Sequence, residues 1–167
     1  MTDLALLLLR LTVGSFMFVH GSQKLFGWFG GKGVSGAMEM LGKRGVRPEW
    51  LWGTAAALAM TGGAAATLLG FLDPIGPLCI VATMLAVVTL GRHRGFFAHR
   101  GGNEHAYLYL LTALALGLSG PGRFSLDAAL GIALPVPLLF AAIALAATGL
   151  VAVHAARTAR DGGTARA

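Results

Sequence analysis

The sequence predicts an all-α protein of the polytopic membrane class, a bundle of four or five membrane-spanning helices. Three observations lead to this fold class. Hydrophobic residues make up 56% of the 167-residue chain and charged residues only 12%, whereas a soluble domain normally has about 25% charged residues. The apolar residues are gathered in long runs, close to the length that crosses a bilayer. The basic residues lie mainly between these runs, as they do in membrane proteins.

Five apolar runs are candidate spans, because a helix needs about 20 mostly apolar residues to cross about 30 Å of hydrocarbon. In chain order they cover residues 4–21, 51–72, 75–91, 106–119 and 135–154. Only Asp73 and Pro74 separate the second run from the third, which predicts a tight antiparallel hairpin. The fourth run is short, so its flanking residues are needed to reach across the bilayer.

The distribution of Lys and Arg predicts how the chain is oriented. With five spans, eleven of the thirteen Lys and Arg residues fall in the first loop, the third loop and the C-terminal tail. The positive-inside rule then places the N-terminus outside and the C-terminus in the cytoplasm, in the inner (plasma) membrane. A nucleic-acid partner is not predicted, since the basic residues form no polar face with base-stacking aromatics. Membrane lipid is the expected surrounding.

The first span carries a stripe of polar residues. With about 100° of rotation per residue, Arg10 and Lys24 fall on one face together with Gly14 and Gly21, and His20 lies at its edge. A charged side chain inside a membrane helix costs several kcal/mol unless it is paired. We therefore expect this face to point into the bundle.

Two partners are predicted for these cations. Glu104 begins the fourth span on the side where Lys24 ends the first, so a Lys24–Glu104 ion pair with His20 nearby is expected. Asp127 lies on the other side and is the expected partner of Arg10. Such pairs can simply fix the packing of helices, or the His20 end can bind a ligand or a quinone headgroup. Both alternatives stay open at this stage.

Other cofactors are less favoured. Haem could use His20 and His105, but nothing in their spacing requires it. Cys79 is the only cysteine, which excludes an internal disulfide, a CxxC pair and a cysteine-based zinc site, so no metal is expected and a disulfide-exchange enzyme is disfavoured. The glycine-rich segment 27–33 lacks the spacing of a phosphate loop and predicts an interfacial turn. Without a catalytic motif, the sequence leaves open whether the protein is an enzyme.

Three segments carry a resemblance to a known family. They are residues 9–11 (LRL) with 20–31 (HGSQKLFGWFGG), residues 95–97 (GFF) with 101–104 (GGNE), and residues 120–127 (GPGRFSLD). In this order they resemble the motifs of the DoxX family and cover roughly residues 4–130. Many members stop soon after the last motif, so the fifth run looks like an extension.

The resemblance implies a domain organisation. It implies a four-helix DoxX-like membrane core at 1–130. The fifth apolar run predicts an additional C-terminal transmembrane helix at 131–155, and the polar residues after it predict a disordered cytoplasmic tail at 156–167. The family name comes from a small membrane subunit linked with thiosulfate:quinone oxidoreductase. Some members are associated with membrane oxidoreductase assemblies that involve a superoxide dismutase and a sulfurtransferase. The matched polar positions are Arg10, His20, Gln23, Lys24, Glu104, Arg123 and Asp127.

Residues and resemblance together favour an accessory subunit of a membrane redox assembly that contacts quinone or another ligand. A small-solute binding or transport module and a purely structural membrane subunit are the alternatives. The candidates for the ligand or quinone pocket are His20, Gln23, Lys24, Trp28 and Glu104. The candidates for structural intramembrane or interfacial charges are Arg10, Arg123 and Asp127.

Overall fold

A computed structural model describes residues 1–91 and 95–134 of the chain. Over these residues the protein is helical and contains no strand. The helices are α1 (Thr2–Leu25), α2 (Gly33–Lys43), α3 (Glu49–Leu69), α4 (Ile75–Leu90), α5 (Glu104–Ser119) and α6 (Leu126–Leu130), with a 3₁₀ turn at Ala98–Arg100. The predicted fifth span at 135–154 and the tail at 156–167 lie outside the described residues.

Four long apolar helices pack into an antiparallel bundle. Helix α1 packs on α3 and α5, α3 packs on α4, and α4 packs on α5, so the four close into a ring. Each corresponds to one of the first four predicted runs. The core between them includes the buried side chains of Met17, Met60, Ile80 and Leu116.

The closest helix pair, α1 and α3, meets through glycines. A Cβ added at Gly14 would lie 2.8 Å from the Leu68 Cα, and one added at Gly21 would lie 2.7 Å from the Thr61 Cα. Small residues allow such close approach where lipid supplies no hydrophobic drive between helices. Arg10 is buried on the same face as both glycines, so this part of the predicted stripe points into the bundle, whereas His20 at its edge is exposed.

Helices α3 and α4 form the predicted tight hairpin. Gly70 ends α3 in the left-handed region, with φ 61°, and the Phe71 amide donates 2.9 Å back to the Ala66 carbonyl oxygen. The chain then turns within residues 70–74 and α4 begins at Ile75. The glycine therefore fixes the position of the loop over the end of the bundle.

Helix α2 was not predicted from the sequence. It follows the turn at 27–33 and lies against α1 and α3. Ala37 and Leu41 form its buried face, and the Met38 backbone packs so closely on Gly53 that an added Cβ there would lie 2.9 Å from the Met38 Cα. The helix therefore packs beside the end of α1.

The bundle has the outer surface of a membrane protein. Helices α1 and α3 are long and apolar enough to cross a membrane, and α4 is apolar but shorter. Large apolar side chains point outward, among them Leu8, Phe16, Leu58, Leu108 and Leu111. An apolar outer surface of this extent is unfavourable in water and favourable in lipid.

Candidate functional site

Polar side chains gather at the two opposite ends of the bundle. One group, the ionic cluster, consists of Arg10, Asp73 and Asp127. The other, the basic cleft, lies between the end of α1, the turn at 27–33 and α2, and is lined by the polar side chains of Gln23, Lys24, Lys32, Glu39, Lys43 and Arg44.

The ionic cluster joins three parts of the chain. Arg10 is only 1% exposed, and its Nη2 donates to the backbone carbonyl of Phe124. The Asp127 carboxylate accepts hydrogen bonds from the backbone amides of Leu72 at 2.9 Å and Asp73 at 2.8 Å. The first helix, the α3–α4 loop and the segment before α6 are thus held together.

Gly70 makes room for the guanidinium. A Cβ at this position would overlap Arg10 Nη1, and the Gly70 carbonyl accepts a 3.0 Å hydrogen bond from the Asp127 amide. Within the described residues, Arg10 Nε and Nη1 have no hydrogen-bond partner. The charge of Arg10 is therefore balanced through space and not through a complete set of hydrogen bonds.

The predicted pairing of Arg10 with Asp127 is correct in location and wrong in detail. Both Asp127 and Asp73 act electrostatically on Arg10. The Asp127 oxygens, however, bind backbone amides of the hairpin loop. From the sequence, Asp73 is assigned only to the connection between the second and third apolar runs. An acidic residue between two such runs is, however, itself a sign of an intramembrane or interfacial charge.

Asp73 lies in the loop outside the spanning helices, and its carboxyl titrates abnormally. Burial and the neighbouring Asp127 carboxylate raise its pKa to about 6, against the opposing effect of Arg10. The desolvated side chain disfavours the ionised form, as expected for a buried carboxyl. The cluster therefore contains one group that changes charge near neutral pH.

Arg123 contributes through its backbone. Its amide donates a 3.0 Å hydrogen bond to the Asp3 carboxylate, while its side chain is exposed. Ser125 then caps α6, its hydroxyl accepting from the Ala128 amide at 3.1 Å. Residues 122–128 are thus fixed locally, and their position over the end of α1 brings Phe124 to Arg10.

The basic cleft is a cavity of about 510 Å³. Its four cations face one carboxylate, that of Glu39, which forms an ion pair with Lys43 at 2.5 Å. The hydrogen bond from Lys43 lowers the pKa of Glu39 below its ordinary value. Glu39 is therefore ionised at neutral pH, and it is one carboxylate among the four cations that line the cleft in the described part of the chain.

A glycine turn closes one side of the cleft. Gly31 packs directly on the end of α1, where an added Cβ would overlap the Gln23 carbonyl. The Gln23 Nε2 donates 3.2 Å to the Phe29 carbonyl oxygen. These contacts hold residues 29–31 against the end of α1, so that α2 follows along the cleft.

The predicted Lys24–Glu104 ion pair does not form. The Lys24 ammonium lies 3.5 Å from the sulfur of Met60 on α3. Glu104 instead accepts a 3.0 Å hydrogen bond from the Ala98 amide. The pair was wrong because the loop before α5 needs a cap for its own backbone, which the Glu104 carboxylate supplies.

The five predicted pocket residues do not converge on one point. Gln23 and Lys24 line the basic cleft. His20 is exposed and its ring lies 6.4 Å from the ring of Tyr109 on α5. Trp28 packs on Phe26 with ring centroids 4.7 Å apart, and both rings are half exposed, as in interfacial aromatics.

The donor set fits a ligand with oxygen acceptors better than a metal. No group of three His, Cys, Asp or Glu side chains that could hold a metal occurs in the described part of the chain. The Lys24 ammonium has three protons and the Gln23 amide has two, and each is described with one acceptor. A quinone carbonyl or a phosphate oxygen could accept the remaining protons.

Comparison with known proteins identifies the family. The sequence model of the DoxX family matches residues 5–100 of the chain. The chain belongs to the DoxX family. This DoxX protein is also 29% identical over 125 residues to a protein of Bacillus subtilis (strain 168) named Putative oxidoreductase CatD, over 75% of this chain and 86% of that protein. No solved structure matches the chain.

The family assignment covers the basic cleft. All six of its polar side chains lie within the matched residues. Asp127 lies beyond them. DoxX proteins are membrane proteins, and the outward-facing apolar residues of this chain agree with that environment.

Proposed function

We propose that this DoxX protein is an accessory membrane subunit of an oxidoreductase assembly, and that it contacts quinone or a related amphipathic ligand at the basic cleft. The observation that carries the proposal is the cleft itself, where Gln23 and Lys24 present donors at the end of a membrane-length helix. The relative named Putative oxidoreductase CatD supports a redox context.

In this proposal α1, α3, α4 and α5 cross the inner membrane, and the run at 135–154 crosses as a fifth span. The excess of Lys and Arg in the first and third loops supports a cytoplasmic position for those loops. The basic cleft then opens at the cytoplasmic surface and the ionic cluster lies at the outer surface. The N-terminus is outside and the C-terminus inside.

Quinone suits the deeper part of the cleft. Its ring is apolar and its carbonyl oxygens accept hydrogen bonds, so it requires one or two donors beside an apolar wall. Lys24 and Gln23 would supply the donors, and Met40 also lines the cleft. Quinone carries electrons when bound, whereas the residues of this chain hold and orient its headgroup.

The partners in this proposal are other redox proteins. The family resemblance points to a membrane-associated oxidoreductase, a sulfurtransferase or a superoxide dismutase. The alternatives are a purely structural subunit and a module for solute binding or transport. The transport alternative was based on a polar site shared by Lys24 and Glu104, and it loses that basis because the structure separates the two.

Replacing Lys24 with Met tests the proposal. Methionine keeps the length of the side chain beside Met60 and removes the ammonium donor. We expect the wild-type protein, purified in mild detergent, to retain quinone that solvent extraction and chromatography detect. Lys24→Met should lower the bound quinone severalfold, while Arg100→Gln, in the other basic loop, should not. Absence of both quinone and a co-purifying redox protein from wild-type preparations would contradict the proposal.

A further inference from the structure

We infer that the basic cleft also binds a phosphate group, that of an anionic phospholipid headgroup at the membrane surface. The inference rests on the proposed function in using the same cleft and the same membrane orientation, and it requires no redox partner. It assigns the outer part of the cleft, where Lys32, Glu39 and Lys43 are exposed, to the phosphate.

Charge is the first argument. Four cations line the cleft and one carboxylate faces them. Glu39 forms its ion pair with Lys43 and also attracts Lys32, so a single carboxylate serves two of the cations. Like charges gathered in a partly enclosed cavity repel one another, and an anion placed among them lowers that energy. A neutral quinone would supply no counter-charge to the ammonium groups of Lys24 and Lys32.

Position is the second argument. The cleft lies where α1 ends, and the half-exposed aromatic pair of Phe26 and Trp28 follows directly in the chain. Aromatic rings of this kind sit at the level of lipid headgroups. Basic pockets beside membrane helices on the cytoplasmic side bind anionic headgroups. The cleft is therefore at the depth where lipid phosphates are found.

Size and donors are the third argument. A volume of about 510 Å³ falls within the range of ordinary ligand sites. The exposed Lys32 side chain can move to meet a phosphate, and the Lys24 ammonium has protons that its contact with Met60 does not use. The cleft can hold a headgroup phosphate without displacing any helix.

Binding of short-chain phosphatidylglycerol to the full-length protein in mild detergent tests the inference. Phosphatidylcholine of the same chain length is the control lipid without net charge, and inorganic phosphate is the control without acyl chains. The melting temperature, followed over a titration of each compound, reports binding. We expect phosphatidylglycerol to raise it at much lower concentration than phosphatidylcholine.

Three surface variants are expected to change the binding of phosphatidylglycerol in three different ways. Lys32→Gln removes one cation and should weaken binding of phosphatidylglycerol about fivefold. Glu39→Gln releases Lys43 and should strengthen binding by a similar factor. Arg100→Gln changes the same charge on the other basic loop and should have no effect. All three side chains are exposed, so the fold is unaffected, and an increase in affinity cannot arise from misfolding.

The same variants distinguish the source of the phosphate. If inorganic phosphate alone shows this pattern and the lipid binds no tighter, the chemistry is confirmed and the natural ligand is a soluble phosphate. Equal binding of the two lipids, or equal effects of Lys32→Gln and Arg100→Gln, would overturn the inference. Quinone content is measured separately, so its absence would refute the redox proposal and leave the lipid result standing.

Discussion

At the residue scale, Arg10 shows how a buried charge can organise a membrane bundle. Its guanidinium is enclosed by the Phe124 carbonyl, the Gly70 position and the nearby carboxylates of Asp73 and Asp127. None of these groups belongs to α1, so the charge is satisfied only when the hairpin loop and the last segment are in place. Asp127 serves both purposes, because its oxygens bind the loop backbone and its charge acts on Arg10.

Replacing Asp127 with Asn should destabilise the protein strongly. An amide offers one oxygen where two are used, places donors against the Leu72 or Asp73 amide, and removes a charge that balances Arg10. Loss of a buried charged partner costs about 3 kcal/mol in the free energy of unfolding. Asp3→Asn changes a surface carboxylate at the same end and should cost less than about 1 kcal/mol. Thermal unfolding in detergent measures both, and similar losses would contradict this role of Asp127.

The pH dependence of stability should report on Asp73. Its pKa is raised from 3.8 in the ordinary carboxyl to about 6 in the fold, so the folded state binds the proton more tightly than the unfolded chain. The stabilising contribution of Asp73 is fully present below the ordinary pKa of 3.8, and it is lost as the pH rises through the raised pKa of about 6. Asp73→Asn should remove this fall between about pH 4 and about pH 6.5. A melting temperature with the same pH profile in wild type and variant would show that Asp73 does not titrate there.

At the element scale, periodicity predicted α1 well and missed α2. The polar stripe was predicted because a helical face follows directly from a spacing of three or four residues. Helix α2 has only 11 residues, and Ser35, Glu39 and Lys43 interrupt its apolar positions, so a search for long apolar runs passes over it. The Lys24–Glu104 pair failed for a related reason, since helix ends indicate depth in the membrane but not which loop backbone will need a carboxylate.

The contact of α1 with α3 should tolerate no side chain at Gly21. A Cβ there would lie 2.6 Å from Thr61 Oγ1 and 2.8 Å from the Thr61 backbone nitrogen, so the helices would have to separate. We expect Gly21→Ala to lower the free energy of unfolding by about 1–3 kcal/mol.

Gly62, one residue further along α3, provides the matched control. A Cβ at Gly62 meets no atom within 4 Å, so Gly62→Ala should be neutral or stabilise the helix by up to about 1 kcal/mol. Unfolding in detergent with increasing dodecyl sulfate compares the two variants. Equal behaviour would mean that the two helices are not held at this distance in the membrane.

At the scale of the whole molecule, composition and apolar runs were enough to predict an all-helical membrane bundle, and four of the five predicted runs correspond to helices of the ring. Composition could not locate the sites, because they depend on loops that bring distant residues together. Residues 70–74 and 122–127 meet over Arg10, and residues 27–33 return to the end of α1. Such contacts are set by tertiary packing and leave no periodic pattern in the sequence.

The membrane topology of the whole chain can be tested directly. Reporter fusions placed after residues 44, 72, 100 and 123 should alternate between the cytoplasm and the outside, starting in the cytoplasm. The reason is the concentration of Lys and Arg in the first and third loops. Enzymatic reporters active on only one side of the membrane measure each position. Two successive fusions on the same side would refute the predicted crossing of the helix between them.

The arrangement around Arg10 also bears on how the protein is made. Arg10 enters the bilayer with the first helix, yet the carbonyl that receives it belongs to Phe124, which the ribosome adds 114 residues later. Until then the guanidinium lacks both the Phe124 carbonyl and the Asp127 carboxylate, although Asp73 is already present. Synthesis of residues 122–127 is therefore the step that completes the surroundings of Arg10, and a chain released before it would leave this charge incompletely balanced.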